Sequence, residues 1–457
     1  MWWAATVGAL VGVGLGVLGH RARVEADLAG PTPRPPPSDA PAAASGPQPN
    51  VVLVIGCTVR RDQVTPYGGA TASTPFLATL AAGGARFTDG HTASAWTRAS
   101  AASLLTGRPF RELGMAEPGP GPNQRRLPPG ALTLAERFAA AGYTTVGATA
   151  NPNLNAAFGF DEGFSAYRQT AELYRDGQSK IPGARVVDQT LAAVDERSPG
   201  VPLYLQVLLV DAHQPGTVSS AEAARFAEGG GPARLLKYRA MLHRFDRAVH
   251  RLWNGLAARG FDDGNTVFVV VNDHGEGLQW PPEQGVGHGN LLSPAVTDLV
   301  WLMRGRGVGA GVEVDGLTSQ VDVAPTLAAL AGLEPTPGPG RDWSSLLTAG
   351  GVTDRARAFV DTDFGRSDKS AVVSTDRACE LNLRHEPPDV ACYDRRADPQ
   401  RRTPLTRPDG ALVAELRAWR DAQVAAAATA DVADAVLTPA DRALLQQLGY
   451  LEEAGRE

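Results

Sequence analysis

A chain of 457 residues with 43% hydrophobic residues is long enough for a sizeable core and short for three domains. Its formal charge of −6 is mild, and its Lys and Arg are scattered rather than striped, which argues against a nucleic-acid footprint. Much of the proline sits in one N-terminal block, which separates a leader from the rest.

Residues 2–19, WWAATVGALVGVGLGVLG, are uncharged and almost wholly apolar. No Lys or Arg precedes this run while Arg21 and Arg23 come after it, the reverse of a secretory signal, so segment 1–22 reads as a membrane anchor or signal-like segment. The positive-inside rule places the domain beyond it in the cytoplasm. Segment 23–49 is Pro/Ala-rich and reads as a solvated linker.

Beyond the linker, NVVLVI (Asn50–Ile55) is a continuous apolar run, expected of a strand buried on both faces. TPFLATLAAGG (Thr74–Gly84) has Thr at the cap, Pro in the first turn and Gly at the end, a helix signature. Ala131–Thr149 reads as helix then strand, Val201–Asp211 as a buried strand and Ala233–Gly260 as a long amphipathic helix. Asn265–Gly275 is a strand running into a turn, Asp298–Met303 a strand and Asp322–Gly332 a helix. From about Ser345 the pattern shifts to short strands, Ala356–Thr362, Ser370–Ser374, Glu380–Leu383 and Val390–Tyr393, and then to helices over Ala411–Ala427 and Pro439–Leu448. The order implies an α/β fold, with a mainly parallel central sheet sandwiched by helices over 50–345 and a small antiparallel α+β subdomain with a helical tail over 346–457.

In such sheets ligands sit beyond the carboxyl ends of strands. Chemistry-bearing residues come directly after the apolar runs here: Cys57 and Thr58, Asp211 and His213, Asp273 and His274. Asp273 and His274 in one tight turn can both face a divalent metal, or be a turn aspartate and a surface histidine. His213 in VDAHQP and His288 in GVGHGN are further candidates, each with a plain loop histidine as the alternative. In SAWTRASAASLLTG, Thr97 stands just ahead of a buried helix, either as a cap or as a nucleophile aimed by the helix N-terminus. Cys379 and Cys392 flank ELNLRHEPPDVA, which reads as two strands around a turn, so they form either a cross-strand disulfide or two thiols. A disulfide there implies an oxidising compartment. That points to the cell envelope, on its periplasmic or extracellular face, opposite to the side the flanking charge suggests.

Several stretches occur together in an order that resembles the sulfatase family of the alkaline phosphatase superfamily. They are NVVLVIGCTVRRDQVTPYGG, TPFLATLAAGGARFTDGHTASAWTRASAASLLTGRPF, ANPNLNAAFGFDEGF, VDAHQP, NDHGEGL, GHGN, QVDVAPTLAALAGL and LTPADRALLQQLGYLEE. The resemblance runs from Asn50 to the C-terminus and implies an alkaline phosphatase-like fold. It also implies hydrolysis of sulfuric or phosphate esters with a divalent metal, calcium by family. The substrate class it implies is an anionic ester on a glycan, lipid or small molecule; the scattered charge points to no nucleic-acid partner, and the apolar N-terminal segment to membrane contact.

The resemblance places Thr97, His213 and His288 as catalytic candidates, Asp273, His274 and Cys57 as metal candidates, and Arg108 and Arg98 as substrate-binding candidates. Two departures stand out. The family's formylglycine motif, C/S-x-P-S-R, falls on Thr97-Arg98-Ala99-Ser100-Ala101, so no formylglycine is expected. The family's first metal-binding Asp falls on Cys57 and its neighbour on Thr58. Losing a carboxylate weakens a calcium site. If Cys57 is a ligand, the centre suits Zn²⁺; if not, Cys57 is a small packing residue. Three functions remain open: an ester hydrolase with a divergent centre, a catalytically impaired sulfatase-like binding domain, and a membrane-tethered phosphate head-group transferase using Thr97.

Overall fold

The computed structural model describes residues 48–116, 124–174, 180–216, 218–282, 285–365 and 367–451. The apolar segment 1–22 and nearly all of linker 23–49 lie outside them. Among the described residues no helix is long and apolar enough to cross a membrane.

The strands in chain order are β1 (Asn50–Gly56), β2 (Ala85–His91), β3 (Thr144–Thr149), β4 (Ala166–Arg168), β5 (Leu203–Leu209), β6 (Thr266–Asn272), β7 (Gly277–Leu278), β8 (Val286–Gly287), β9 (Trp301–Gly305), β10 (Val312–Ser319) and β11 (Gly351–Val352). Nine of them form one sheet in the order β11-β10-β2-β9-β6-β1-β5-β3-β4. Every neighbouring pair is parallel except those of β9, which runs antiparallel to both β2 and β6. The mainly parallel sheet read from the sequence is therefore present. Val51 through Ile55 have no exposed surface, which is why β1 is a continuous apolar run. Each such side chain contributes about 1.5–3 kcal/mol on burial.

Helices α1 (Pro75–Ala82), α2 (Thr97–Thr106), α3 (Leu134–Ala140), α4 (Gly183–Asp195), α5 (Ala233–Ala257) and α6 (Val323–Leu330) connect these strands. The sequence pattern does not reveal β2, β10, α2's full length or α4. β2 (ARFTDGH) and β10 (VEVDGLTS) carry polar residues at half-buried positions, so neither shows a continuous apolar run.

A second sheet, β12 (Ala358–Thr362), β13 (Lys369–Val373), β14 (Arg377–Asn382) and β15 (Asp389–Asp394), is an antiparallel meander in that order. β14 begins earlier than the Glu380 read from sequence, because Arg377 to Cys379 pair with β15. Cys379 and Cys392 lie directly opposite each other and form a disulfide. Helix α7 (Gly410–Ala427) packs on this sheet through Leu412 and Leu416. Helix α8 (Pro439–Gln447) returns to the first sheet's core through Leu445.

β12 also touches the loop that leads into α2. Asp361 N–H donates to the Ala93 carbonyl at 3.0 Å, and Ser94 bridges Asp361. The Thr362 hydroxyl donates to the Gly289 carbonyl.

Candidate active site

The site forms where β1 and β6 end side by side. Gly56 pairs with Asn272, so Cys57 and Asp273 leave adjacent parallel strands together. The backbone of the β1 loop is held open by Asp273, whose Oδ1 accepts from Thr58 N at 3.0 Å and from His274 N at 2.6 Å. Thr58 has φ of +57°, an uncommon conformation for a β-branched residue that costs about 1–3 kcal/mol. Its carbonyl accepts from the Tyr238 hydroxyl at 2.7 Å, which fixes the turn from the α5 side.

Helix α2 enters from the third direction. All ten of its residues are buried, and the small run Ala99 to Ser103 lets the helix lie that deep. Gln320 ties it to the end of β6. Its Nε2 donates to the carbonyls of Asn272 and Asp273 at 2.9 and 3.0 Å, while its Oε1 accepts from the Ser100 hydroxyl at 2.7 Å. The N-cap is Trp96 and no side chain caps the helix there. Thr97 is therefore not a cap.

Its hydroxyl instead faces the two strand ends. Thr97 Oγ1 lies 3.5 Å from Cys57 Sγ, 3.3 Å from His274 Nε2 and 3.3 Å from Asn151 Nδ2. His274 Nδ1 is 2.9 Å from the Gly275 carbonyl, which can only accept, so Nδ1 carries the proton. Burial pulls the His274 pKa down despite the Asp273 carboxylate, so the ring is neutral and Nε2 presents a lone pair.

Cys57, Asp273 and His274 each offer one ligand atom, all within 4.8 Å of one another and fully buried. Asp273 Oδ2 is buried with no hydrogen-bond partner, and it lies 3.5 Å from His274 Nε2. Burial, and then the Asp273 charge, push the Cys57 thiol well above its ordinary value. Tetrahedral zinc ligands at bond lengths of about 2.0–2.3 Å lie roughly 3.3–3.8 Å apart. Of the three named ligand atoms, Asp273 Oδ2 and His274 Nε2 lie at such a spacing, 3.5 Å, while the full set spreads over 4.8 Å. A sulfur, an imidazole and one carboxylate suit zinc and do not suit calcium, which needs more oxygen.

His213 lies just past β5 and His288 just past β8, and both rings reach this place. The His213 ring is 5.1 Å from that of His288, which is 4.6 Å from that of His274. His213 Nδ1 donates to the Gln214 carbonyl, and burial, then the His288 charge, hold its pKa well below the usual histidine range. His288 Nδ1 is 3.3 Å from Glu276 Oε2. Burial would lower the His288 pKa, but the Glu276 carboxylate outweighs it and the net shift is upward. Gly289 has φ of +85° and a Cβ there would meet the Phe364 ring at 2.3 Å, which accounts for the glycine in GHGN.

The two arginines are placed elsewhere. Arg108 lies beyond the far end of α2, about 15 Å along the helix axis from Thr97 at its start. It pairs with Glu112 at 2.8 Å. Arg98 turns to the other side of the helix, as a one-residue step dictates. Its Nη2 donates to Asn153 Oδ1 at 2.9 Å and its guanidinium lies 3.5 Å over the Phe158 ring.

Two residues join the site that sequence reasoning does not single out. Asn151, in ANPNLN, is fully buried, and its amide reaches Cys57 Sγ at 3.4 Å as well as Thr97. Tyr450, in LGYLEE, places its hydroxyl 3.0 Å from Thr97 Oγ1, 3.1 Å from Asn151 Nδ2 and 3.2 Å from His213 Nε2. Both stretches are among those that carry the sulfatase resemblance, and an asparagine just past a strand end was the available signal for the first.

Residues 49–333 match the family model described as Sulfatase. The chain is 39% identical over 104 residues to arylsulfatase A of Bos taurus, a match covering 22% of this chain and 20% of that protein. It thus spans about a fifth of that relative's length. Two solved structures share the fold. One, described as in complex with its substrate D-glucosamine-2-N,6-O-disulfate, has a TM-score of 0.66 at 16% identity, covering 84% of this chain and 99% of the other. The phosphonate monoester hydrolase of Agrobacterium radiobacter has a TM-score of 0.63 at 19% identity, covering 83% and 96%. With a family match over more than half its length, the chain belongs to the sulfatase family.

Proposed function

We propose that this protein hydrolyses an anionic ester, sulfuric or phosphoric, with unmodified Thr97 as the nucleophile and Cys57, Asp273 and His274 as ligands of a zinc ion. The observation that carries the reading is the meeting of Thr97 Oγ1 with Cys57 Sγ and His274 Nε2, beside a buried carboxylate oxygen that has no partner. A zinc ion bound by those three side chains supplies positive charge that lowers the hydroxyl pKa and screens the ester's anion.

The chain's own groups do the rest. The N-terminus of α2 favours negative charge where the ester's oxygens lie. The Asn151 amide points a donor at the same place. Thr97 Oγ1 attacks sulfur or phosphorus, its bond to that atom forms as the bond to the leaving oxygen breaks, the hydroxyl's proton ends on the departing alcohol, and water then cleaves the threonine ester and restores the hydroxyl. His213 and His288 bring two further imidazoles to the centre, His288 with its ring 4.6 Å from that of His274. The disulfide Cys379–Cys392 supports an oxidising setting at the cell envelope.

Elemental mass spectrometry and turnover of aryl sulfate, phosphate monoester and phosphodiester test the reading together. The expected result is about one zinc per chain, lost on chelation along with turnover, and a Thr97→Ala variant slower by about 10⁴-fold or more. Turnover that survives Thr97→Ala would overturn the nucleophile. A Cys57→Asp variant that gains calcium where the native chain holds no metal would overturn the zinc centre. One observation favours a binding domain without turnover: the Thr97 hydroxyl is covered by Tyr450.

A further inference from the structure

We propose that Ala433–Leu451 is an intramolecular plug, in which the Tyr450 hydroxyl holds the position that an oxygen of the anionic ester must take on Thr97 and Asn151. The inference rests on the ester-hydrolase reading. The Tyr450 hydroxyl makes three side-chain hydrogen bonds in the centre, to Thr97, Asn151 and His213. Their directions agree. Nδ1 of His213 donates to a carbonyl, so Nε2 accepts from Tyr450, and the Tyr450 oxygen accepts from Asn151. An oxygen 3.0 Å from the nucleophile leaves no room there for an oxygen of a substrate.

The plug is held in the core by Ala435, Leu437, Leu445 and Tyr450, while Val436 is 89% exposed and α8 itself buries only Leu445. The strap leading to it is fastened by the Arg126 N–H to the Ala433 carbonyl and the Ala435 N–H to the Gln124 carbonyl. Asn155 Nδ2 adds a bond to Asp441 Oδ1 at 2.8 Å. Tyr450 N–H donates to the Leu445 carbonyl, so the ring and the end of α8 move as one piece. The occupant is a neutral phenol in front of a helix N-terminus, a place that an anion fills more favourably. A sulfate or phosphate group therefore displaces Tyr450, and the plug excludes weakly bound neutral molecules.

The test uses the full chain with inorganic phosphate and sulfate as probes, measured by calorimetry and by amide hydrogen exchange over 445–451. Tyr450→Gly is expected to bind one of these ions at least tenfold more tightly than the native chain. In the native chain, saturating ion is expected to speed exchange at Tyr450 N–H severalfold. Equal affinities with unchanged exchange would overturn the plug and leave the oxyanion site standing. Weaker binding by Tyr450→Gly would also overturn it, by making the phenol part of the ion's own site. Binding by neither chain would remove the ester-hydrolase reading and the plug with it. Tyr450→Phe keeps the ring and removes only the hydroxyl. Should the glycine variant not fold, the phenylalanine variant is expected to bind severalfold more tightly, and an unchanged affinity would overturn the plug.

Discussion

Asp361 and Asp273 are both buried aspartates, 2% and 0% exposed, and both stand near the loop into α2. Around Asp361 both oxygens have partners. Its two oxygens accept from Arg111, from Arg420 at 3.2 Å and from Ser370 at 3.0 Å, and Asp368 takes the remaining reach of both arginines. Around Asp273 one oxygen is used twice and the other has no partner. A closed network is a joint, here between the second sheet and the first. An unfilled valence in a dry interior is a cost that a fold keeps only where something else completes it.

The comparison is sharpest in the response to substitution. Asp361→Ala leaves two buried guanidinium groups sharing Asp368 alone and is expected to lose about 3–5 kcal/mol in denaturant unfolding. A loss under about 1 kcal/mol would mean that the arginines find other partners. The same joint should show in acid. Burial works against the Asp361 charge, but Arg111 and Arg420 outweigh it, and the folded-state pKa is depressed. Its contribution is then intact above the unfolded value of about 3.9 and is lost as pH falls through the lower folded value. Asp361→Asn should flatten that acid limb of a stability-against-pH curve, and an unchanged limb would assign it to other carboxylates.

Asp273→Asn is expected to act with the opposite sign. An amide keeps the oxygen that Thr58 and His274 need and removes the stranded one, so the metal-free protein should gain about 0.5–2 kcal/mol while metal binding is lost. Metal-free protein destabilised by more than about 2 kcal/mol would show that the second oxygen is satisfied after all. The smallest effect belongs to the rim. Arg125 pairs with Asp434, whose side chain is 58% exposed, and Arg125→Ala should change stability by about 1 kcal/mol or less.

The sequence carried the skeleton of this site and not its filling. β1, β5 and β6 are legible because they are buried on both faces and read as unbroken apolar runs, and the residues just past them, Cys57, His213 and Asp273, are found from that. β2 and β10 are half-buried and polar, so period and apolarity both fail there. Arg98 and Arg108 carry the right charge, but the direction of a helical side chain depends on which face the helix buries. α2 is buried all round, so periodicity gives no face. Tyr450 is the clearest omission, since it lies 353 residues distant in sequence from the hydroxyl it touches. A tyrosine in a short, mostly exposed helical tail gives no local sign of its destination.

Strand β12 has a consequence for how this site can vary. Through Asp361 it holds the loop of Ala93 that delivers Thr97, and through Thr362 it holds Gly289, beside His288. Gly289 N–H in turn donates to the Ala95 carbonyl at 2.8 Å. One strand thus acts as a gauge that sets the gap between the nucleophile loop and the histidine loop. Exchanging the second sheet for another of different curvature would change the aperture of the site while every residue that faces Thr97 stays the same.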